Sequence, residues 1–482
     1  MSNSKGSGCS CCSNSSKESF DLIILGSGSA AFSAAIKATE LGKSVAMIER
    51  GTLGGTCVNV GCVPSKTLIR AAEVLERSRR SNFSGILLTP AQLDFKEVIR
   101  EKNELVHSLR QAKYESVLES NPNITLIKGE AEFISPLEVS VAGRIIKGEK
   151  ILVATGSSPY VPQIPGLEEV DYLISDTAFE LTELPQSMTV IGGRYIALEI
   201  AQMFQRFGTD VTVLQRSEYL IPDQDSDVSL EIAKHLSSEG INIITGTRIR
   251  EVKNDGSMVV VTFEKEGQTL EVSSEKLLFA TGRQPNTAGL NLDKAGVEVD
   301  HRGSIIVNEF GQSSAADIYA AGDVTTNPAF VYTAAYAGSI AAENAFSGNI
   351  KSLDFSVVPW VIFTDPQVSG VGLNEKSAGA AGIEVEISRL ALDNVPRALA
   401  ARDTRGFIKL IRRKNSDQLI GATVIAPEGS ELIMEVSLAI KYKIPVSELA
   451  KTLHPYLTLS EGIKLAAQTF DKDIKKLSCC AG

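Results

Sequence analysis

The sequence predicts an α/β chain: two strand–turn–helix–strand units, followed by an α+β domain built on an antiparallel sheet. A glycine-rich turn opening a helix occurs twice, at Gly26 and at Gly192. Each copy is followed, further along the chain, by a buried strand ending in Ala-Thr-Gly, "ILVATG" and "LLFATG". After about residue 354 the texture changes to the alternating runs "GFIKLIRR" and "LIGATVIA", with the helical "SELIMEVSLAIKYK" between them and the C-terminus. With 482 residues the chain exceeds a single hydrophobic core, so several domains are expected.

The bulk composition excludes some function classes. A net charge of −10 argues against nucleic acid as the main partner, because binding phosphates needs a basic face. No apolar run approaches the ~18 residues that a membrane span needs. Residues 1–19 are polar, rich in Ser and Gly, and lack the apolar core of a signal peptide. They read as a mobile arm, and the cytoplasm is the expected location. The seven cysteines cluster: Cys9, Cys11 and Cys12 in the leader, Cys57 and Cys62 in "CVNVGC", Cys479 and Cys480 in the final "SCCAG". Packing cysteines would be scattered through the core, so this placement points to sulfur chemistry.

From Phe20 the first unit runs "FDLIILG", "SGSAAFSAAIKATELG" and "KSVAMIER": buried parallel strand, Ala-rich helix, second strand. Its turn is Gly26-x-Gly28-x-x-Ala31, and Glu49 closes the second strand. A lone glycine-rich turn also suits any tight βα connection. Set between strand and helix, with an acid at that remove, it is a dinucleotide fingerprint, which makes the unit Rossmann-like. The glycines let a pyrophosphate approach the helix N-terminus, and Glu49 accepts from an adenosine ribose.

Next comes "GGTCVNVGCVPSK", Gly54 to Lys66, whose end opens the amphipathic run "VPSKTLIRAAEVLERSRR". A helix N-terminus beside a lysine lowers a thiol pKa, so a thiolate near neutral pH is expected. A structural zinc site would need two more ligands, and the four histidines do not cluster.

The second unit, "SMTVIGGRYIALEIAQMFQRFGTDVTVLQR", places Gly192 where the first has Gly26. Two such units imply two nucleotides, typically a flavin and a nicotinamide. Gln215, with Arg216 next to it, stands where the first copy has Glu49. An acid there would repel a 2′-phosphate, whereas Arg pairs with it, so NADPH is expected over NADH. Arg194 replaces a common glycine of the turn and either crowds the pyrophosphate or binds it. Later, "DIYAAGDV" brings Asp323 to the end of a strand.

The dithiol motif, both dinucleotide turns, "ATG", "AAGDV" and the C-terminal domain together resemble the flavin-dependent pyridine nucleotide–disulfide oxidoreductases over roughly residues 20 to 482. Dihydrolipoamide dehydrogenase and glutathione reductase are familiar members. The resemblance implies FAD, a redox-active Cys57–Cys62 pair against the flavin, and a homodimer whose active sites the partner chain completes. It places Gly26, Gly28, Ala31, Glu49, Gly51, Thr56, Lys66, Ala131, Gly156, Asp323 and Val331 at FAD, with Lys66 near the flavin ring and Asp323 near the ribityl hydroxyls. Gly192, Gly193, Arg194, Arg216 and Gly282 fall at NADPH, and Glu199 where the nicotinamide meets the flavin. The implied division is a leader, 1–19; an FAD domain, 20–150 and 284–353; an NADPH domain, 151–283; and a dimerisation domain with the Cys-Cys tail, 354–482.

Most such proteins end in a His-Pro-Thr-x-Ser-Glu segment whose histidine manages the proton of the leaving thiol. Here the segment is "HPYLTLSEG". Aligning "TLSE" puts Tyr456 at the histidine's place, and His454 lies two residues too early; aligning on "HP" instead would need an insertion. Adjacent thiols on a tail do not readily close an unstrained disulfide, but they bind soft metal ions. Passing Hg(II) between thiolate pairs is ligand exchange and needs no base. "SCCAG", Tyr456 and Tyr114 in "QAKYE" closely resemble the members of the family that reduce mercuric ion. The resemblance implies capture of Hg(II) by Cys479 and Cys480 of one subunit and transfer past Tyr114 and Tyr456 to Cys57 and Cys62 of the other. By residue type alone each tyrosine also suits an ordinary buried or interface aromatic. The "GCSCC" leader either delivers metal or is dispensable. Two rivals remain: a dihydrolipoamide-type disulfide reductase, and a thiol protein that stores metal, for which two dinucleotide units would be superfluous.

Overall fold

The computed structural model describes residues 18–473. Cys9, Cys11, Cys12, Cys479 and Cys480 lie outside the described residues. The described chain divides into two compact units. One comprises 18–55, Arg110–Ser157 and Gln284–Leu353; the other comprises Thr56–Leu109, Ser158–Arg283 and 354–473. Cys57 and Cys62 thus belong to the second unit, with the second nucleotide fold and the C-terminal domain.

In the first unit, strand Glu18–Leu25 lies between Val45–Glu49 and Arg144–Val153, parallel to both, with Ile124–Lys128 beyond Val45–Glu49. The central strand starts at Glu18 rather than at Phe20, because Glu18 and Ser19 pair with Ile146 and Lys147. Along the other edge of Arg144–Val153, its N-terminal half carries an antiparallel meander and its C-terminal half pairs with Ile318–Ala320. Leu22 to Leu25 are buried on both faces, as parallel strands covered by helices require. Helices Ser29–Glu40 and Val331–Ser347 pack backbone to backbone: a Cβ on Gly338 would lie 2.1 Å from the Ala30 carbonyl oxygen. The small residues Ala30, Ala34, Ala337 and Ala341 permit that approach.

The second unit contains three sheets. A five-stranded parallel sheet is ordered Asn242–Ile244, Asp210–Leu214, Ser187–Ile191, Lys276–Phe279, Tyr172–Ile174. A three-stranded antiparallel sheet spans Arg248 to Ser274. The C-terminal antiparallel sheet is ordered Trp360–Ile362, Gln367–Gly372, Leu419–Ala426, Phe407–Arg413, Val385–Ala391. The run "LIGATVIA" is buried at every position, because helices pack on the sheet. Helix Cys62–Arg79 packs on helix Tyr195–Phe207, with Leu68, Ala72, Leu198 and Ala201 in one apolar cluster. That packing brings the dithiol helix to the second nucleotide fold. Among the described residues, no helix is long and apolar enough to cross a membrane.

Candidate active site

The two glycine turns are built alike. Gly26 has φ +110° and Gly192 has φ +128°, and a Cβ on either would lie 2.3 Å from a carbonyl oxygen, that of Ala154 or of Ala280. Only glycine adopts this conformation without strain and fits the space. The Gly26 N–H donates to Ile48 O at 2.8 Å and the Gly192 N–H to Leu214 O at 2.9 Å. Ala154 and Ala280, the first residues of the two Ala-Thr-Gly segments, donate to Leu25 O and Ile191 O, each at 2.9 Å. Each "ATG" strand therefore ends against its own glycine turn. The helices that follow, Ser29–Glu40 and Tyr195–Phe207, have no side-chain cap and no acid in the first turn. Their N–H groups and positive ends suit phosphate.

In the first unit a cavity of about 260 Å³ adjoins the end of the second strand, lined by Glu49, Gly51, Leu53, Arg110, Glu115 and Lys128 among others. The Glu49 carboxylate is held from two sides: the Ser27 hydroxyl donates to Oε2 and the Gly51 N–H to Oε1, both at 2.6 Å. Each oxygen keeps a lone pair for a ribose hydroxyl. Gly55 comes so near Gly28 that a Cβ on it would lie 2.6 Å from the Gly28 Cα, which closes the turn around the helix start. Ala31 and Ala131 are buried, and Val331 begins its helix with 36% of its surface exposed. Asp323 accepts a hydrogen bond from the Ser157 hydroxyl at 2.8 Å, and Gly156 O accepts from the Asn286 N–H at 2.9 Å. The glycine cradle, uncapped helix and carboxylate-edged cavity fit an adenine dinucleotide such as FAD. Arg110 and Lys128, at the cavity wall, escape sequence reading because their places depend on how distant segments meet.

Tyr114 lies in a five-residue π-helical turn, Gln111–Glu115. Such turns re-aim the side chains they carry. The ring meets Phe32 edge to face, centroids 4.8 Å apart at 89°.

In the second unit Arg194, Tyr195 and Gly282 line a cavity of about 110 Å³ with Pro159, Ser175 and Arg283. The Arg194 guanidinium is paired with Asp223. Gln215 is buried against Gly193, whose missing Cβ would lie 2.9 Å from the Gln215 Cγ, while Arg216 is exposed. Tyr195 stacks on Trp360 at 5.5 Å and 30°. The open helix end and these arginines fit a second, phosphate-bearing nucleotide.

The dithiol lies in the same unit. Cys57 is half-buried in the short helix Gly55–Asn59, and Cys62, exposed, is the first residue of Cys62–Arg79; both are free thiols. Between them the chain folds back tightly: a Cβ on Gly61 would meet the Thr56 carbonyl oxygen at 2.9 Å. Thr56 itself is exposed. The hydrogen bond from Cys57 and the Lys66 charge hold the Cys62 thiol down at about 7, against burial and the Glu199 charge. That same bond, with burial, pushes the Cys57 thiol up. Cys62 is therefore the thiolate and Cys57 the proton holder.

Lys66 follows Cys62 by one helical turn, so both share a face. Its Nζ donates to Glu199 Oε2 at 2.7 Å and lies 4.7 Å from the centre of the Phe363 ring. The Phe363 N–H donates to the other Glu199 oxygen at 2.9 Å. Phe363 has no sequence signature, since its place follows from the C-terminal sheet reaching helix Tyr195–Phe207.

In the C-terminal segment Tyr456 is 54% exposed, whereas the His454 side chain is 5% exposed. Both His454 ring nitrogens are engaged, Nε2 with Glu435 Oε1 at 2.7 Å and Nδ1 with Thr452 O at 3.0 Å. His454 is thus a packing residue. Among the described residues, one carboxylate trio, Asp225, Asp227 and Glu375, has the spacing of a metal site, but the buried Lys409 ammonium binds all three.

Comparison with known proteins agrees with this geometry. Residues 20–338 match the model of the pyridine nucleotide-disulphide oxidoreductases, and 358–467 match that family's dimerisation domain. A protein named mercuric reductase from Lysinibacillus sphaericus is 47% identical over 97% of this chain and 85% of its own length. One of the same name from Streptomyces lividans is 44% identical over 96% of this chain and 98% of its own. Among solved structures, the Cu(II) complex of the HOCl-induced flavoprotein disulfide reductase RclA from Escherichia coli superposes with a TM-score of 0.84 at 31% identity, covering 94% of this chain and 99% of that one. With both family models matched in order and relatives aligned nearly end to end, the chain belongs to the pyridine nucleotide-disulphide oxidoreductase family.

Proposed function

We propose that the protein is an NADPH-dependent flavoenzyme that reduces thiolate-bound Hg(II): NADPH + Hg(II) → NADP⁺ + H⁺ + Hg(0). Membership of the family brings FAD and NADPH as cofactors and a homodimer through the C-terminal domain. The mercuric substrate rests chiefly on one observation. A free dithiol, with Cys62 poised as thiolate, stands in a chain whose nearby histidine is locked to Glu435 and whose base position is Tyr456. A disulfide substrate would need a proton delivered to its leaving thiolate; an Hg(II) thiolate complex would not. The relatives named mercuric reductase support the same reading.

Gly26, Gly28, Ala31, Glu49, Gly51, Gly156, Ala131, Asp323 and Val331 would hold FAD, with Thr56 and Lys66, over residues 20–150 and 284–353. Gly192, Gly193, Arg194, Arg216 and Gly282 would hold NADPH over 151–283. Bound FAD supplies a two-electron relay from nicotinamide to the dithiol site. The chain does the rest. Cys62 offers a thiolate for the metal, and its attack releases the first carrier thiolate. Cys57 passes its proton to the departed carrier thiolate and, as the second ligand, displaces the second carrier thiolate, while Lys66 and Glu199 fix the local charge. Soft thiolates select a soft cation. Cys479 and Cys480, at the end of the dimerisation domain 354–482, would capture the metal and pass it along Tyr114 and Tyr456 of the shared sites. The exposed Met434, Leu438, Tyr442, Leu453 and Leu457 are consistent with a covering partner subunit. A cytoplasmic setting suits a dithiol that must stay reduced.

The test is NADPH oxidation by the yellow holoprotein with Hg(II) supplied as small-thiol complexes, against lipoamide and glutathione disulfide. Turnover with Hg(II) alone supports the proposal. Turnover with a disulfide and none with Hg(II) would establish the disulfide-reductase reading, which the RclA likeness keeps as the rival.

A further inference from the structure

Arg194 stands where the first glycine turn has Gly28, and its backbone is extended, with φ −108° and ψ −170°, a conformation open to any residue. The second turn therefore accepts a side chain at this point, beside the cavity that Arg194 lines with Gly282 and Arg283. The guanidinium donates to both oxygens of the Asp223 carboxylate, Nη1 to Oδ2 and Nη2 to Oδ1, the latter at 3.0 Å. Asp223 belongs to a loop, 220–224, that is fastened by other bonds. The Ile221 N–H donates to Gly193 O and the Gln224 N–H to Ile221 O, each at 2.9 Å. The Asn374 side-chain amide donates to Asp223 O at 2.7 Å, and the Lys376 ammonium to Pro222 O at 2.9 Å. The carboxylate is thus held in place by its backbone, and the long arginine side chain is the part able to swing.

The Arg194 and Asp223 side chains are 52% and 55% exposed. A pair so exposed holds together weakly, because water solvates each charge once they separate. A dinucleotide pyrophosphate carries two negative charges, and its oxygens accept parallel hydrogen bonds from a guanidinium, so it displaces a single carboxylate. Arg194 follows Gly192 by two residues and caps the helix that opens toward the nucleotide, which puts the pyrophosphate within its reach. Arg216, just beyond the end of strand Asp210–Leu214, is left to meet a 2′-phosphate.

We propose that Asp223 is the resting counter-ion of Arg194, and that the guanidinium exchanges this carboxylate for the pyrophosphate of the nicotinamide dinucleotide as it binds. This rests on the second turn being the NADPH site, and is independent of which substrate the enzyme reduces. Asp223 neutralises the arginine in the empty site and competes with the incoming phosphate. It therefore sets how tightly the electron donor is held and how readily the oxidised nucleotide leaves.

The experiment titrates NADP⁺ and NAD⁺ into the oxidised FAD holoprotein of wild type, Asp223→Asn and Arg194→Gln. Affinity is read from the heat of binding, and thermal midpoints are taken without nucleotide. Asp223→Asn removes the competing charge and is expected to tighten both nucleotides by the same factor, about two- to five-fold, the upper end equivalent to about 1 kcal/mol. Its nucleotide-free midpoint should be no higher than that of wild type, so that the gain belongs to binding and not to a stiffer fold. Arg194→Gln should weaken both nucleotides by about three- to ten-fold. Unchanged or weaker binding by Asp223→Asn would overturn the proposal, since the carboxylate would then only aim the arginine or fasten the loop. So would tighter binding by Arg194→Gln, which would mean that the arginine crowds the site. A gain in Asp223→Asn confined to NADP⁺ would also overturn it, by putting the guanidinium on the 2′-phosphate. Wild type that binds neither nucleotide would instead remove the dinucleotide reading of the second turn, and this proposal with it.

Discussion

Lys66 and Glu199, 133 positions apart in sequence, form an ion pair of 2.7 Å in which the glutamate side chain is only 7% exposed. The pair gives Cys62 one stabilising and one opposing charge at once. Lys66 lowers its pKa and Glu199 raises it. The two partners therefore act on the thiol with opposite sign. Replacing Lys66 with Met should move the midpoint of Cys62 alkylation by iodoacetamide upward, and Glu199→Gln should move it downward. Shifts of about half to one unit are expected, about 0.7–1.4 kcal/mol of differential interaction. Shifts in the same direction would show that the pair acts through local folding instead.

In the wild type the alkylation rate should follow the Cys62 thiolate. It should be half-maximal near pH 7 and fall about ten-fold per unit below that, as the thiol protonates. Cys57, pushed up by the shared proton and by burial, should stay unreactive across the same range. Peptide mapping after brief alkylation at pH 7 checks the order. Labelling of Cys57 first would reverse the two roles.

His454 divides the proposed chemistry from that of a disulfide reductase. Asn or Phe at this position removes the contact with Glu435 and should lower the thermal midpoint, a loss of about 1 kcal/mol for a partly buried hydrogen bond. The turnover number with Hg(II) should be unchanged. A hundred-fold loss of turnover in a folded variant would make this histidine the base and place the "HP" alignment in register.

The paired glycines predict separable defects. Gly192→Ala drives a methyl group into the Ala280 carbonyl and should raise the KM for NADPH at least ten-fold while the protein still purifies yellow. Gly26→Ala makes the same clash against Ala154 and should purify with little flavin. Flavin content and NADPH kinetics, measured on both, decide. Identical losses in both variants would mean that each turn serves only global folding.

Lys409 is fully buried among Asp225, Asp227 and Glu375. Lys409→Met leaves that negative charge uncompensated and should destabilise the second unit by about 3–5 kcal/mol, seen as a lower urea midpoint. A variant as stable as wild type would show that the carboxylates find water or protons instead.

The parts legible in sequence were those where chemistry restricts the residue type. A turn with positive φ pressed against a carbonyl oxygen admits only glycine, so Gly26 and Gly192 mark themselves, and a thiol pair at the head of a helix is similarly conspicuous. Phe363 and Phe32 are ordinary residues whose roles exist only after distant segments meet: a ring under the Lys66 ammonium and an edge against Tyr114. The position of Thr56–Leu109 was equally hidden. Its amphipathic pattern announces a helix but not which fold receives it, and the packing with Tyr195–Phe207 decides that. The strand start at Glu18 was missed for a related reason, since its pairing partner, Ile146, lies far along the chain.

Trp360 is the single tryptophan in the sequence, and its indole rests on the Tyr195 ring at the wall of the smaller cavity. One ultraviolet lamp thus stands beside the cavity proposed to receive the electron donor. Its glow should dim by energy transfer when reduced nicotinamide arrives and brighten as the oxidised form departs, so that loading of the enzyme can be timed, millisecond by millisecond, without attaching any dye.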